Sequence, residues 1–137
     1  MNISLYILSS KPEKFYVKAR KEYEKRLGRY CKLTVKEFKN KEKMSKAFAP
    51  DQTVIFVDET GRQMSSEKLA EAISAAEVGG ISKVTVVVGY PYEERVFDNA
   101  ERLAVSRMSL SADLLSTVVL EQIYRAYKII NGETYHK

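Results

Sequence analysis

TVIFVDETGRQMSSEKLAEAISAAEVGGISKVTVVVGY, residues 53–90, reads as strand, helix and strand, and the fold class follows from it. At its two ends, TVIFV (53–57) and KVTVVV (83–88) are short runs of mainly β-branched and apolar residues, the pattern of strands buried on both faces. The polar, glycine-containing segment Asp58–Gly61 predicts a turn that closes the first of them. Ser65 or Ser66 can cap the next helix through its hydroxyl. EKLAEAISAAEV carries that helix, and Gly79-Gly80 ends it where a left-handed backbone is cheap. Strand, helix and strand in this order are the repeating step of a parallel sheet, with right-handed crossovers as the default.

The same alternation extends to both ends of the chain. Residues 2–8 (NISLYIL) predict a strand, about 13–30 a long helix, 32–38 (KLTVKEF) a strand with alternating apolar positions, and 41–49 a short helix or loop. Beyond Gly89, Tyr92 to about Ala104 reads as helix, with Val96, Ala100 and Leu103 on one stripe, and VSRMSL (105–110) as a short last strand. Ser111 can cap a final helix. Its stripe Leu115, Val119, Ile123, Ala126 and Ile130 is expected to be buried, and Asn131-Gly132 ends it. The expected fold is α/β, a mostly parallel sheet with helices on both faces.

The 137 residues, 45% hydrophobic and 30% charged, fit one packed domain spanning 1–137. No apolar run approaches the roughly 20 residues of a membrane span. The N-terminal segment reads as a first strand rather than a leader, so the expected location is cytoplasmic. One Cys and one His exclude an intrachain disulfide and a typical structural zinc site, and no metal is expected. Neither a Walker-type phosphate loop nor the spaced glycines of dinucleotide sites occur. Cys31 reads as inert packing, and Glu93-Glu94 as carboxylates that meet a helix dipole favourably.

Charge is unevenly spread. Residues 1–50 hold 14 Lys and Arg against 5 Asp and Glu, whereas residues 51–137 hold 9 against 13. In PEKFYVKARKEYEKRLGRY (12–30), Phe15, Ala19, Tyr23, Leu27 and Tyr30 recur at helical spacing as a packing stripe, and Lys18, Lys21 and Lys25 lie among the cations of the other face. Two readings are open for that face: a solvated helix surface, or a site for a polyanion such as RNA that displaces counterions on binding.

In a parallel sheet, ligands sit outside the carboxyl ends of the strands. Two junctions lie there, Val57–Gly61 and Val88–Tyr92. Each is either an ordinary turn or, through Gly89, a place where a ligand approaches the backbone closely.

The segment LEQIYRAYKIINGETYHK (120–137) resembles the C-terminal signature of the RlmH-type pseudouridine methyltransferases of large-subunit ribosomal RNA, a small branch of the SPOUT superfamily. The likeness continues upstream through VSRMSL, the glycine after KVTVVV, and VDETGRQMSSEKLAEAI, and it covers essentially the whole chain. This resemblance implies a C-terminal trefoil knot, a homodimer, and methylation of a pseudouridine ring nitrogen in ribosomal particles with S-adenosyl-L-methionine. It places the cofactor pocket at Val57, Gly89 and the run Val105, Ser106, Arg107, Met108, Ser109 and Leu110. It places Tyr135 and His136 near the target base, with His136 able to accept or relay the imide proton; read without the resemblance, His136 is a terminal residue without a role. For Arg125, a phosphate contact and an ion pair with Glu121 one turn earlier are both open.

The chain departs from the family pattern at the site. A Gly-Gly-x-x-Gly loop is reduced to GYPYEER, with Tyr90 in place of the second glycine in a shorter connection. Ser111-Ala112 and Ser116 stand where the family has a Pro-His pair and then an arginine. Two functions follow: an active rRNA methyltransferase with a divergent pocket, or a catalytically impaired relative that binds the ribosome or RNA.

Overall fold

The computed structural model describes residues 1–9, 11–49, 52–91 and 100–135. Five strands, β1 (Asn2–Leu8), β2 (Lys32–Phe38), β3 (Thr53–Gln63), β4 (Lys83–Val88) and β5 (Glu101–Ala104), form one sheet in the order β2-β1-β4-β3-β5. Every strand pair in it is parallel. Among the described residues, four helices accompany them: α1 (Lys14–Leu27), α2 (Lys41–Lys46), α3 (Ser66–Val78) and α4 (Ala112–Ile130).

The strand alternation divides the core in two. Ile3, Leu5, Ile7, Val57, Val86 and Val88 point to the face covered by α1 and α4, where they meet Leu27, Leu115, Leu120 and Ile123. Tyr6, Val54, Phe56 and Val87 point to the other face, where Met44 of α2 joins them. Period-2 apolar residues buried on both sides are what the sequence of β3 and β4 requires. Helices α1 and α4 run side by side in the same direction: the Tyr23 and Tyr124 ring centroids lie 6.1 Å apart, and one to two turns later Tyr30 stacks on Tyr127 at 5.6 Å.

The helix starts follow the expected caps. Ser65 accepts from the Lys68 N–H and Ser111 from the Leu114 N–H, each closing a first turn. Gly80 adopts φ +86° just beyond α3. Strands β1, β2 and β4 span 2–8, 32–38 and 83–88 as expected.

Four expectations are corrected. β3 does not end at Val57: both Val57 and Arg62 pair with Leu103, so Asp58–Gly61 is an excursion within a strand that resumes and runs to Gln63. Asp58 holds that excursion by accepting from the Thr60 N–H at 2.8 Å. Residues 101–104, expected as the end of a helix, form β5, because β3 offers an open edge whose pairing outweighs local helical spacing. The remainder of that expected helix, 92–99, with Glu93 and Glu94, lies outside the described residues. VSRMSL is a bent, irregular segment rather than strand. Ile130, at the end of the α4 stripe, is 36% exposed, since the helix has by then passed the sheet.

At Gly61 the backbone lies tight against Leu103 of β5. A Cβ there would lie 2.3 Å from the Leu103 carbonyl carbon. Gly80, by contrast, faces open space and requires only its positive φ. Gly61→Ala is therefore expected to cost about 3 kcal/mol, the upper part of the overpacking range, and Gly80→Ala about 1 kcal/mol. Urea unfolding measures both, and equal losses would contradict the close crossing.

Candidate functional site

The carboxyl ends of β1, β3 and β4 lie side by side, since Val88 pairs with both Ile7 and Val57. Gly89 follows at φ +89° and is exposed between buried Val88 and Tyr90. A Cβ on Gly89 would lie 2.5 Å from the Leu8 carbonyl oxygen and 3.2 Å from Ala112 Cβ. Only glycine serves here, and the result is a stretch of open main chain at the sheet edge beside the start of α4.

The run Val105–Leu110 joins β5 to α4 and so closes on the same edge. Arg107 anchors it: its Nη1 donates to the carbonyls of Glu59 at 3.0 Å and Gly61 at 2.7 Å, within the β3 excursion. Ser106 Oγ accepts from the Met108 N–H at 2.9 Å. The N–H groups of Arg107, Ser109 and Leu110 make no hydrogen bond to main chain of the described residues. Leu110 packs against the core, whereas Met108 is 76% exposed. The structure thus brings Val57, Gly89 and Val105–Leu110 to one edge. These residues fit a small ligand with polar ring edges: a glycine with no room for a side chain, N–H groups without a main-chain acceptor among the described residues, and an apolar floor at Val57.

A separate cleft of about 730 Å³ lies between α3 and the sheet, lined by aliphatic side chains such as Ile55, Leu69, Ile73, Val84 and Val86. It meets the carboxyl-edge group only at Val57 and Val105, so most of it serves a different part of the molecule.

Tyr90 does not occupy the α4 side of this edge. Its ring packs 5.8 Å from Phe56 within the core on the α2 face, and its hydroxyl lies 3.3 Å from Ser45 Oγ. Among the described residues, positive φ falls on glycines alone, so Tyr90 bears no strain from replacing one. The Cβ of Ala112 fills space against Gly89.

At Ser116, the position where the resemblance implies an arginine, a guanidinium arrives from another element. Arg20 of α1, 1% exposed, donates through Nη1 to Ser116 Oγ and to Asp113 Oδ1, each at 3.3 Å. Its Nη2 bonds the Glu37 carboxylate of β2. Asp113 Oδ2 also accepts from the Glu13 N–H at 3.1 Å, which ties the starts of α1 and α4 together. Sequence reasoning missed this group; the available signal was an arginine on the apolar side of an otherwise amphipathic helix, one position after Ala19.

Tyr135 lies elsewhere. Its hydroxyl donates to Glu121 Oε1 at 3.1 Å, and its ring meets Tyr124 edge-on at 5.0 Å. Glu121 is nine residues along α4 from Ala112, about 14 Å of helix rise. Within one chain, Tyr135 and Gly89 are therefore not brought together. Burial and the Glu121 contact push the Tyr135 phenol up to about 12, so it acts near neutrality as a donor and not as a base. His136 lies outside the described residues. Arg125 takes the ion-pair reading: Nε and Nη2 bond Glu121 Oε1 at 3.1 and 2.7 Å, and the guanidinium lies 5.0 Å from the centre of the Tyr135 ring. Lys18, Lys21 and Lys25 are exposed along α1. Among the described residues, no cluster of His, Cys, Asp or Glu is fit to hold a metal, and no helix is long and apolar enough to cross a membrane.

Two measurements follow. Arg20→Met leaves Asp113 and Glu37 without their cation and is expected to destabilise the fold by about 3–5 kcal/mol in urea unfolding; a loss under about 1 kcal/mol would show the network to be incidental. Burial pushes the Cys31 thiol up to about 11, so between about pH 9 and 11 the folded chain retains a proton that the unfolded chain releases. Stability is therefore expected to fall as pH rises through that window. In Cys31→Ala the thermal midpoint should fall less steeply there, and an unchanged slope would contradict the assignment.

The family described as "Predicted SPOUT methyltransferase" matches residues 1–136. The protein named ribosomal RNA large subunit methyltransferase H 1 of Thermoanaerobacter sp. (strain X514) is 39% identical over 137 positions, covering all of both chains. Proteins named ribosomal RNA large subunit methyltransferase H are 35% identical in Clostridium novyi (strain NT), across the whole of both chains, and 35% identical in Thermotoga maritima, over 85% of this chain and 87% of that one. The Thermoanaerobacter alignment has no more positions than this chain has residues, so that relative carries no insertion after β4, and the short GYPYEER connection is not peculiar to this protein. By the match of the family over residues 1–136 and by similarity along its full length, the chain belongs to the SPOUT methyltransferase family.

Proposed function

We propose that this single-domain protein methylates a pseudouridine of large-subunit ribosomal RNA in the cytoplasm, as a homodimer, using S-adenosyl-L-methionine. The observation that carries the reading is Gly89, open at φ +89° on the carboxyl edge beside Val57 and the Val105–Leu110 run. Main-chain groups of that run and of Gly89 would hold the adenosine portion, and Val57 would pack beneath it. The cofactor supplies an already activated methyl on its sulfonium, so the protein has chiefly to align donor and acceptor.

The proposed trefoil knot draws support from the crossing at Gly61 and from Arg107, which fastens residues 101–107 over the β3 excursion. The separation of Tyr135 from Gly89 within one chain supports completion of the site by the tail of a second protomer. Tyr135, protonated at neutral pH, would exchange its Glu121 acceptor for one on the base or its ribose. His136, with an unperturbed pKa near about 6.5, would take the imide proton as the ring nitrogen attacks. Lys18, Lys21 and Lys25 would neutralise phosphates, and Arg125 would add a contact while braced by Glu121.

Transfer of a labelled methyl group from S-adenosyl-L-methionine to large ribosomal particles tests this reading. One methyl per particle is expected, with His136→Ala lowering kcat about 100-fold or more at little change in KM. Particles that bind the protein but gain no label would favour the noncatalytic relative. Exchanging Lys18, Lys21 and Lys25 for Glu should weaken particle binding and flatten its salt dependence by about three counterions. An unchanged slope would leave that face as solvated surface.

A further inference from the structure

Phe15 is expected from its spacing in the packing stripe of α1, yet it is 61% exposed, while Leu27 of the same stripe is fully buried. Its ring centroid lies 4.3 Å from that of Tyr16, tilted by 40°. The pair stands in the first turn of α1, which contains no acidic residue. Lys11, Lys14 and Lys18 are exposed around it, and Glu13 is the one carboxylate between Lys11 and Lys21. The helix N-terminus adds its own positive end. This turn is fixed to the start of α4 by the Glu13–Asp113 hydrogen bond and the Arg20 network. α4 in turn follows directly on the Val105–Leu110 run, so the aromatic pair flanks the site of proposed methyl transfer.

We propose that Phe15, supported by Tyr16, is a stacking platform for an unpaired base of the RNA substrate, with Lys11, Lys14 and Lys18 engaging the flanking phosphates. This rests on the reading of the chain as acting on ribosomal RNA. Aromatic faces interleaved with cations match a single-stranded nucleic acid, which offers π-faces and phosphates at similar intervals. A second copy packed through this face would also cover Phe15, but it would set Lys11, Lys14 and Lys18 against the same three lysines.

The test uses the full-length chain and purified large ribosomal subunits, with binding measured by sedimentation so that methyl transfer is not required. Phe15→Ala and Phe15→Leu are each expected to weaken binding roughly 5- to 100-fold, and Phe15→Trp to retain it. Melting temperature, oligomeric state and affinity for S-adenosylhomocysteine should stay unchanged in all three. Binding by Phe15→Leu equal to wild type would overturn the proposal, since apolar bulk would then suffice. A change of oligomeric state in Phe15→Ala would assign the face to a second copy. Wild-type binding with no effect of any variant defeats the stacking platform alone, whereas absence of wild-type binding defeats the ribosomal reading as well.

Discussion

A guanidinium buried to 1% exposure cannot be left unpaired, and Arg20 determines much of what surrounds it. It takes carboxylates from β2 and α4, and a hydroxyl from α4, so the remote helix α4 is held at one junction with the neighbouring elements α1 and β2. Because the same Asp113 also accepts the Glu13 N–H, α1 and α4 start level and run together. The seam of tyrosines follows from that parallel course, with Tyr23, Tyr30, Tyr124 and Tyr127 meeting ring to ring. The start of α4 is fixed as well, and with it the Ala112 Cβ against Gly89 and the end of the Val105–Leu110 run.

This junction changes how the departures at the site are understood. Ser116 alone reads as the loss of a cation; in three dimensions it is the acceptor for one supplied by α1. Tyr90 alone reads as an obstruction, yet its ring belongs to the core beneath α2, and the left-handed backbone falls on the glycine that remains. The short connection after β4 is shared with a relative that carries a methyltransferase name. Three features that looked like decay are thus compatible with a maintained pocket.

The sheet was legible because its strands are short apolar runs bounded by turn residues, and α3 and α4 because serine caps and terminal glycines mark their ends. β5 was not legible. ERLA has helical composition, and its strand state depends on the partner edge at Val57 and Arg62, about forty residues away in sequence. The return of β3 after Gly61 was hidden for the same reason, since a polar turn reads identically whether the strand stops or merely detours. At the site, Gly89 and the 105–110 run were readable as motif, whereas Arg20 and the exposure of Phe15 depend on which neighbours α1 acquires. Charge and spacing on one helix carry no record of those neighbours.

Methyl transfer as proposed requires that the carboxyl edge at Gly89 admit a methyl donor beside Tyr90. Calorimetric titration of the folded protein with S-adenosylhomocysteine tests it directly, paired with Gly89→Ala, whose added Cβ would press on the Leu8 carbonyl and the Ala112 side chain. The account predicts saturable binding of one ligand per protomer by the wild type and its loss in a still-folded variant. No heat of binding at millimolar ligand, or equal affinity in the two proteins, would contradict it.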